Sequence, residues 1–167
     1  SGKYTWENID SNMDGFIALC TVLGKVRTVR LADCGLSARS TAELAKVFRD
    51  ADAGVTKLVL SECTLTGGAH DGAFDTDLAG VTTLFDALKT SSVTELDLRK
   101  CRLGPRSTDR LAEYLREATA ALNLLTLDST GDMRNQKTYT LTAGEKKVDL
   151  SSKSLGPADC HLLVAWL

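Results

Sequence analysis

Three stretches of the chain are written in one frame. Val93, Leu96, Leu98, Cys101 and Leu103 repeat the spacing of Val55, Leu58, Leu60, Cys63 and Leu65, and of Val26, Val29, Leu31, Cys34 and Leu36. Within each frame the central apolar residues alternate, as in a strand with one buried face, and a cysteine follows at a turn. Such a unit cannot bury both flanks alone, so copies must stack. The frame therefore predicts an α/β solenoid. It does not name a ligand.

A helical pattern follows the strands. After the first frame, Leu44, Val47 and Phe48 share one side, and Ser40 with Glu43 fits a capping box, in which the hydroxyl and the carboxylate each satisfy a backbone N–H. Ser107–Ala118 matches Ser40–Ala51 at six of twelve positions, as internal duplication leaves it. Cys34 and Cys63 are 29 residues apart, whereas Cys63 and Cys101 are 38 apart. The surplus falls in Gly67–Ala79, a glycine-rich acidic stretch that reads as a loop inserted between strand and helix.

The fourth frame keeps Leu125 and Leu127 but has Thr130 in the cysteine position. The fifth, with Val148, Leu150 and Leu155, starts only 23 residues later. That interval predicts an extended connection or hairpin through Tyr139 and Leu141. A last helix is expected from near Asp159, with Leu163, Trp166 and Leu167 in the places of Leu111, Tyr114 and Leu115. Because it runs to the last residue, the chain reads as an excerpt of a longer array. Residues 1–25 form a capping segment ahead of the array of about five repeats at 26–167. In it Phe16, Leu19, Cys20 and Leu23 have the spacing of one helix face, with Asp14 as N-cap, Gly24 as stop, and Trp6 and Ile9 over the exposed edge.

The pattern LxxLxLxxCxL, followed by a helix and repeated at 29 residues, resembles the leucine-rich repeats of the ribonuclease-inhibitor type from roughly Val26 to Leu167. The resemblance implies an intracellular horseshoe with a parallel sheet on its concave face, helices outside and a protein as its ligand. The short fourth repeat and the Gly67–Ala79 loop depart from the pattern.

Composition narrows the function classes. A formal charge of −2 and 5% aromatic residues give neither the basic field nor the stacking rings that nucleic acid requires. The longest apolar run, Phe16–Leu23, is far short of the roughly 20 residues of a membrane span. Five cysteines are an odd number with no CxxC pair, which fits a reducing, intracellular and cytoplasmic setting better than disulfides or zinc. Gly24-Lys25 lacks the rest of a phosphate loop, and neither His70 nor His161 has a nucleophile motif nearby. No enzyme activity and no cofactor are expected.

Three places could meet a ligand. The outward strand positions form rows: Arg30, Val59, Asp97, Thr126 and Asp149; Thr28, Lys57, Glu95, Leu124 and Lys147; Ala32, Ser61, Arg99, Asp128 and Ser151. Their mixed charges suit a protein partner, or simply a solvated sheet. The inserted loop gathers His70, Asp71, Asp75 and Asp77 as a second contact surface, with metal binding the weaker alternative. Asp10, Asn12 and Asp14 with Gly15 match the opening of an EF-hand calcium loop, but Thr21 stands where a bidentate Glu belongs. The leading expectation is a protein-interaction scaffold using the concave rows and the loop. A regulator of an enzyme, as inhibitor or GTPase activator, is the rival, and a calcium-responsive adaptor the weaker alternative.

Overall fold

Alternation of apolar and polar residues sets four short strands side by side: β1 (Thr28–Arg30), β2 (Lys57–Val59), β3 (Glu95–Asp97) and β4 (Leu124–Asp128). They pair in parallel and in chain order, with Val29 beside Leu58, Leu58 beside Leu96, and Leu96 beside Leu125. The frames thus lie in register, and their inward leucines are buried. This computed structural model describes residues 12–67, 73–118 and 121–167.

The fifth strand corrects the expectation of a parallel sheet throughout. β5 (Thr138–Thr142) folds back antiparallel on β4, placing Leu141 opposite Leu125 and Tyr139 opposite Leu127. This is the hairpin that the short interval called for. It takes the place beside β4, so the fifth frame forms no strand, although Val148, Leu150 and Leu155 still pack against the core.

Among the described residues, five helices accompany the sheet: α1 (Asp14–Leu23), α2 (Ala38–Arg49), α3 (Ala79–Leu88), α4 (Pro105–Glu117) and α5 (Pro157–Trp166). Leu44, Leu84, Leu111 and Leu162 join the strand leucines in one apolar core. The helix starts differ from expectation. Ser37, not Ser40, caps α2, its hydroxyl accepting the Arg39 N–H at 3.2 Å. Ser40 sits three residues in and accepts the Ser37 N–H at 2.7 Å. Glu43 pairs instead with Lys46 at 2.6 Å. In α1, Met13 is the N-cap and Asp14 the first helical residue. Phe16, Cys20 and Leu23 pack against the core, but Leu19 faces solvent. Gly24 does end that helix, while Trp6 and Ile9 lie outside the described residues.

The turn after each of the first three strands repeats one backbone feature. Asp33, Glu62 and Lys100 all have φ between 53° and 65°, and each precedes a cysteine of the frame. The Cys63 thiol donates to the Leu31 carbonyl at 3.1 Å, and the Cys101 thiol to that of Leu60 at 3.0 Å. Each bond reaches back one frame. Burial pushes both thiols above their ordinary pKa, so they stay protonated donors. Cys34 departs from the expected buried ladder. Among the described residues no strand lies beyond β1, and Cys34 is exposed, its thiol turning to Ala32 O of its own turn at 3.4 Å.

Helix packing has two further determinants. A Cβ on Gly80 would lie 2.2 Å from the Ala38 carbonyl oxygen, so only glycine lets α3 approach the start of α2 this closely. Tyr114 of α4 stacks on Phe85 of α3, with ring centroids 6.1 Å apart. Its buried hydroxyl has no partner among the described residues, and burial pushes its pKa up to about 12. Among the described residues, no helix is long and apolar enough to cross a membrane.

Two predictions follow from burial. Cys101→Asp should abolish cooperative thermal unfolding, because an unpaired buried charge costs several kcal/mol, on the order of the whole stability. Cys34→Asp, in the same frame position but exposed, should unfold within about 0.5 kcal/mol of the parent, and equal damage from both would refute the assignment. Tyr114→Phe removes an unsatisfied hydroxyl and should be neutral, or stabilising by about 1 kcal/mol, in denaturant titrations at pH 7. The raised Tyr114 pKa means that the unfolded chain loses this proton first as pH rises. Parent stability should therefore fall relative to the Phe variant from about pH 10 to about 12.

Candidate interaction face

The sheet has one face against the helices and one open face. Successive strand side chains point to opposite sides, so the residues between the buried leucines project together on the open side. Register places Arg30, Val59, Asp97, Thr126 and Thr140 in one row, and Thr28, Lys57, Glu95, Leu124 and Thr142 in the next. The first four members of each row are those expected from the sequence. Lys147 and Asp149 are not the fifth, because the β5 hairpin supplies Thr140 and Thr142 there. Asp149 instead accepts the Ser151 N–H and hydroxyl in a local turn, which holds its carboxyl below the ordinary range.

These rows line a shallow groove of about 290 Å³. Val59 forms its floor, only 2% exposed although it is on the open side. Lys57 pairs across strands with Glu95 at 2.7 Å. Arg99 pairs with Asp97 at 3.0 Å, and its N–H also donates to that carboxylate at 3.2 Å. The Thr126 and Thr140 hydroxyls are 3.0 Å apart. Arg30 has no partner among the described residues. A face of this kind can present hydrogen-bonding groups of both signs beside half-buried Leu124. It brings together no nucleophile and base.

Asp128, expected as an open contact residue, is committed to the fold. It is 7% exposed, and its carboxylate accepts the Lys100 N–H and the Thr138 hydroxyl, both at 2.5 Å. It thereby holds the left-handed turn before Cys101 against the hairpin.

The inserted loop is likewise corrected where it is described. Gly104, the N-cap of α4, has no side chain to offer, and Asp75 supplies one from the loop. Its carboxylate accepts the N–H groups of Gly104, Arg106 and Ser107 at 3.0, 2.8 and 3.3 Å, and the Ser107 hydroxyl. A negative charge there also favours the positive end of the helix. Asp77 does a similar service for α3 through the Ala79 N–H at 2.9 Å. Buried Thr66 anchors the loop, accepting the Asp75 N–H through its hydroxyl and donating that hydroxyl to Arg102 O at 2.6 Å. His70 and Asp71 lie outside the described residues.

The calcium reading fails on backbone. Asp14 through Thr21, positions five to twelve of the supposed loop, are already helical. The Asn12 side-chain oxygen accepts the Asp14 N–H at 3.2 Å, and Asp10 lies outside the described residues. Among the described residues, no group of three or more His, Cys, Asp or Glu side chains could hold a metal ion.

One polar residue escaped the sequence reading. Asp159, three residues into α5, is completely buried and accepts from the Thr130 N–H and hydroxyl, the Gly156 N–H and the Tyr139 hydroxyl, all within 2.9 Å. Burial and this carboxylate push the Tyr139 phenol well above its usual range. The available signal was the alignment of Leu155-Gly156-Pro157-Ala158-Asp159 with Leu103-Gly104-Pro105-Arg106-Ser107.

Neither the family models nor the curated proteins with which the chain was compared give a match.

Asp75→Ala should cost about 1–2 kcal/mol, the usual cost of losing an N-cap side chain, and lower Tm by roughly 3–8 °C in a protein of this size. Asp75→Asn should fall between the two, since it keeps an acceptor without the charge. A shift in Tm below about 1 °C for the alanine variant would show that the cap contributes little.

Proposed function

We propose that this chain is an intracellular protein-interaction module, a leucine-rich repeat array of the ribonuclease-inhibitor kind, that binds a partner through the open face of its sheet. Support for the repeat reading comes from the in-register strands, from the left-handed residue before each frame cysteine, and from thiols bonded back one frame. The observation that carries the function is the groove itself: paired charges, half-buried Leu124 and an arginine without an ion pair among the described residues line it together. The loop at Gly67–Ala79 is left out of the proposed contact surface, because Asp75 and Asp77 are already engaged in capping. Fold elements of this kind hold a surface rigid for recognition and need no chemistry of their own.

Photo-crosslinking in cell extract tests the reading. A photoreactive residue placed at Thr126, on the open face, should label a discrete protein, while one at Glu113, exposed on α4, should not. Arg30→Glu should reduce the Thr126 label with Tm unchanged within about 1 °C, since an exposed, unpaired side chain contributes little to stability. Equal labelling from both positions, or labelling insensitive to charge reversal, would count against the open face.

A further inference from the structure

Resting on that reading, we infer that the groove takes an extended partner segment bearing an acidic side chain, whose carboxylate meets Arg30. Three cations reach the groove, and two are already matched: Lys57 by Glu95 at 2.7 Å, and Arg99 by Asp97 at 3.0 Å. Arg30 is the surplus. Register puts Val59 between Arg30 and Asp97, and among the described residues no carboxylate forms an ion pair with Arg30. An exposed guanidinium with no ion pair among the described residues is the complement of a Glu or Asp side chain, and Arg engages carboxylates through parallel N–H bonds.

The rest of the groove fixes the order of the partner's residues. Asp97 and Glu95, over the middle of the sheet, disfavour a second acid there. Beyond them lie half-buried Leu124 and the Thr126–Thr140 hydroxyl pair, which suit an apolar residue flanked by backbone hydrogen bonds. Arg30 and Leu124 are three strands apart and offset by two residues, about 16 Å between backbones; the reach of the arginine side chain shortens this to roughly 10 Å, which an extended chain covers in about three residues. The segment therefore carries its acid about three residues from an apolar side chain. Nucleic acid is the poorer complement: the groove has no aromatic ring for stacking, and two of its cations are already neutralised.

The test is selection of a displayed library of random twelve-residue peptides on the whole chain, with binders mapped by amide NMR shifts. The expected consensus has Asp or Glu about three positions from Leu, Ile, Val or Phe, with shifts at Val59 and Thr126. Arg30→Glu should weaken a selected peptide at least tenfold, Arg30→Gln less, and Arg110→Glu on α4 not at all, all with an unchanged circular dichroism spectrum. A consensus without an acid that still maps to the sheet overturns the acidic segment and leaves the open face standing. Shifts confined to the helices, or no enrichment above background, overturn both. Binding of single-stranded oligonucleotides to the same amides, tighter than any acidic peptide, likewise overturns the choice of ligand.

Discussion

A turn with one residue in the left-handed region leaves the carbonyl groups of the neighbouring turn facing an apolar interior. Those carbonyls need a donor small enough to fit beside packed leucines, and a cysteine thiol meets both demands. Cys63 reaches Leu31 O and Cys101 reaches Leu60 O, so each frame completes the hydrogen bonding of the one before it. The dependence runs in one direction. Cys34, with no earlier strand turn among the described residues, is exposed and bonds within its own turn. The fourth frame breaks the chain of thiols, and Thr130 instead gives its hydroxyl to Asp159.

Carboxylates take over wherever the frame is interrupted. Asp75 comes from the insertion, Asp128 from the end of β4 and Asp159 from the first turn of α5; each satisfies N–H or hydroxyl groups from segments distant in sequence. Buried or half-buried acceptors of this kind cost free energy when left alone and stabilise when every lone pair has a donor. They hold the irregular pieces, the loop and the hairpin, to the regular ones. Gln136 adds to this by donating its side-chain amide to both Leu103 O and Ser129 O at 3.0 Å.

The strands and their register were legible because they depend on apolar spacing, which burial enforces residue by residue. The hairpin through Tyr139 and Leu141 was legible from chain length alone. What sequence could not convey was the destination of polar side chains. Asp75 and Asp128 look like any surface acids, and only three-dimensional proximity to Gly104 and Lys100 turns them into caps. The cap of α2 was misplaced by three residues because Ser37 and Ser40 each satisfy a capping pattern, and the hydrogen bonds run in both directions between them. The rows starting at Arg30 and Thr28 match the register through β4 and fail beyond it, since the frame at Val148 and Leu150 has the right spacing but finds β5 already beside β4; the third row fails earlier, because Ser61 and Asp128 are buried.

The two departures from regular spacing leave the open face undisturbed, and the reason is geometric. Where the surplus residues before α3 are described, Thr66 bonds to Arg102 O, Asp75 to the start of α4 and Asp77 to the start of α3, while β2 and β3 stay in register as closely as β1 and β2 do. Gly80 then lets α3 settle against the start of α2, and Asp75 closes the gap to α4. The hairpin acts at the other edge, replacing what would have been charged Lys147 and Asp149 with the hydroxyls of Thr140 and Thr142. Irregularity is thereby confined to the supports and the margin. The cross-strand pairing of Lys57 with Glu95, and the isolation of Arg30 from Asp97 by Val59, both require that confinement, because a one-residue slip would send each of these side chains to the buried side.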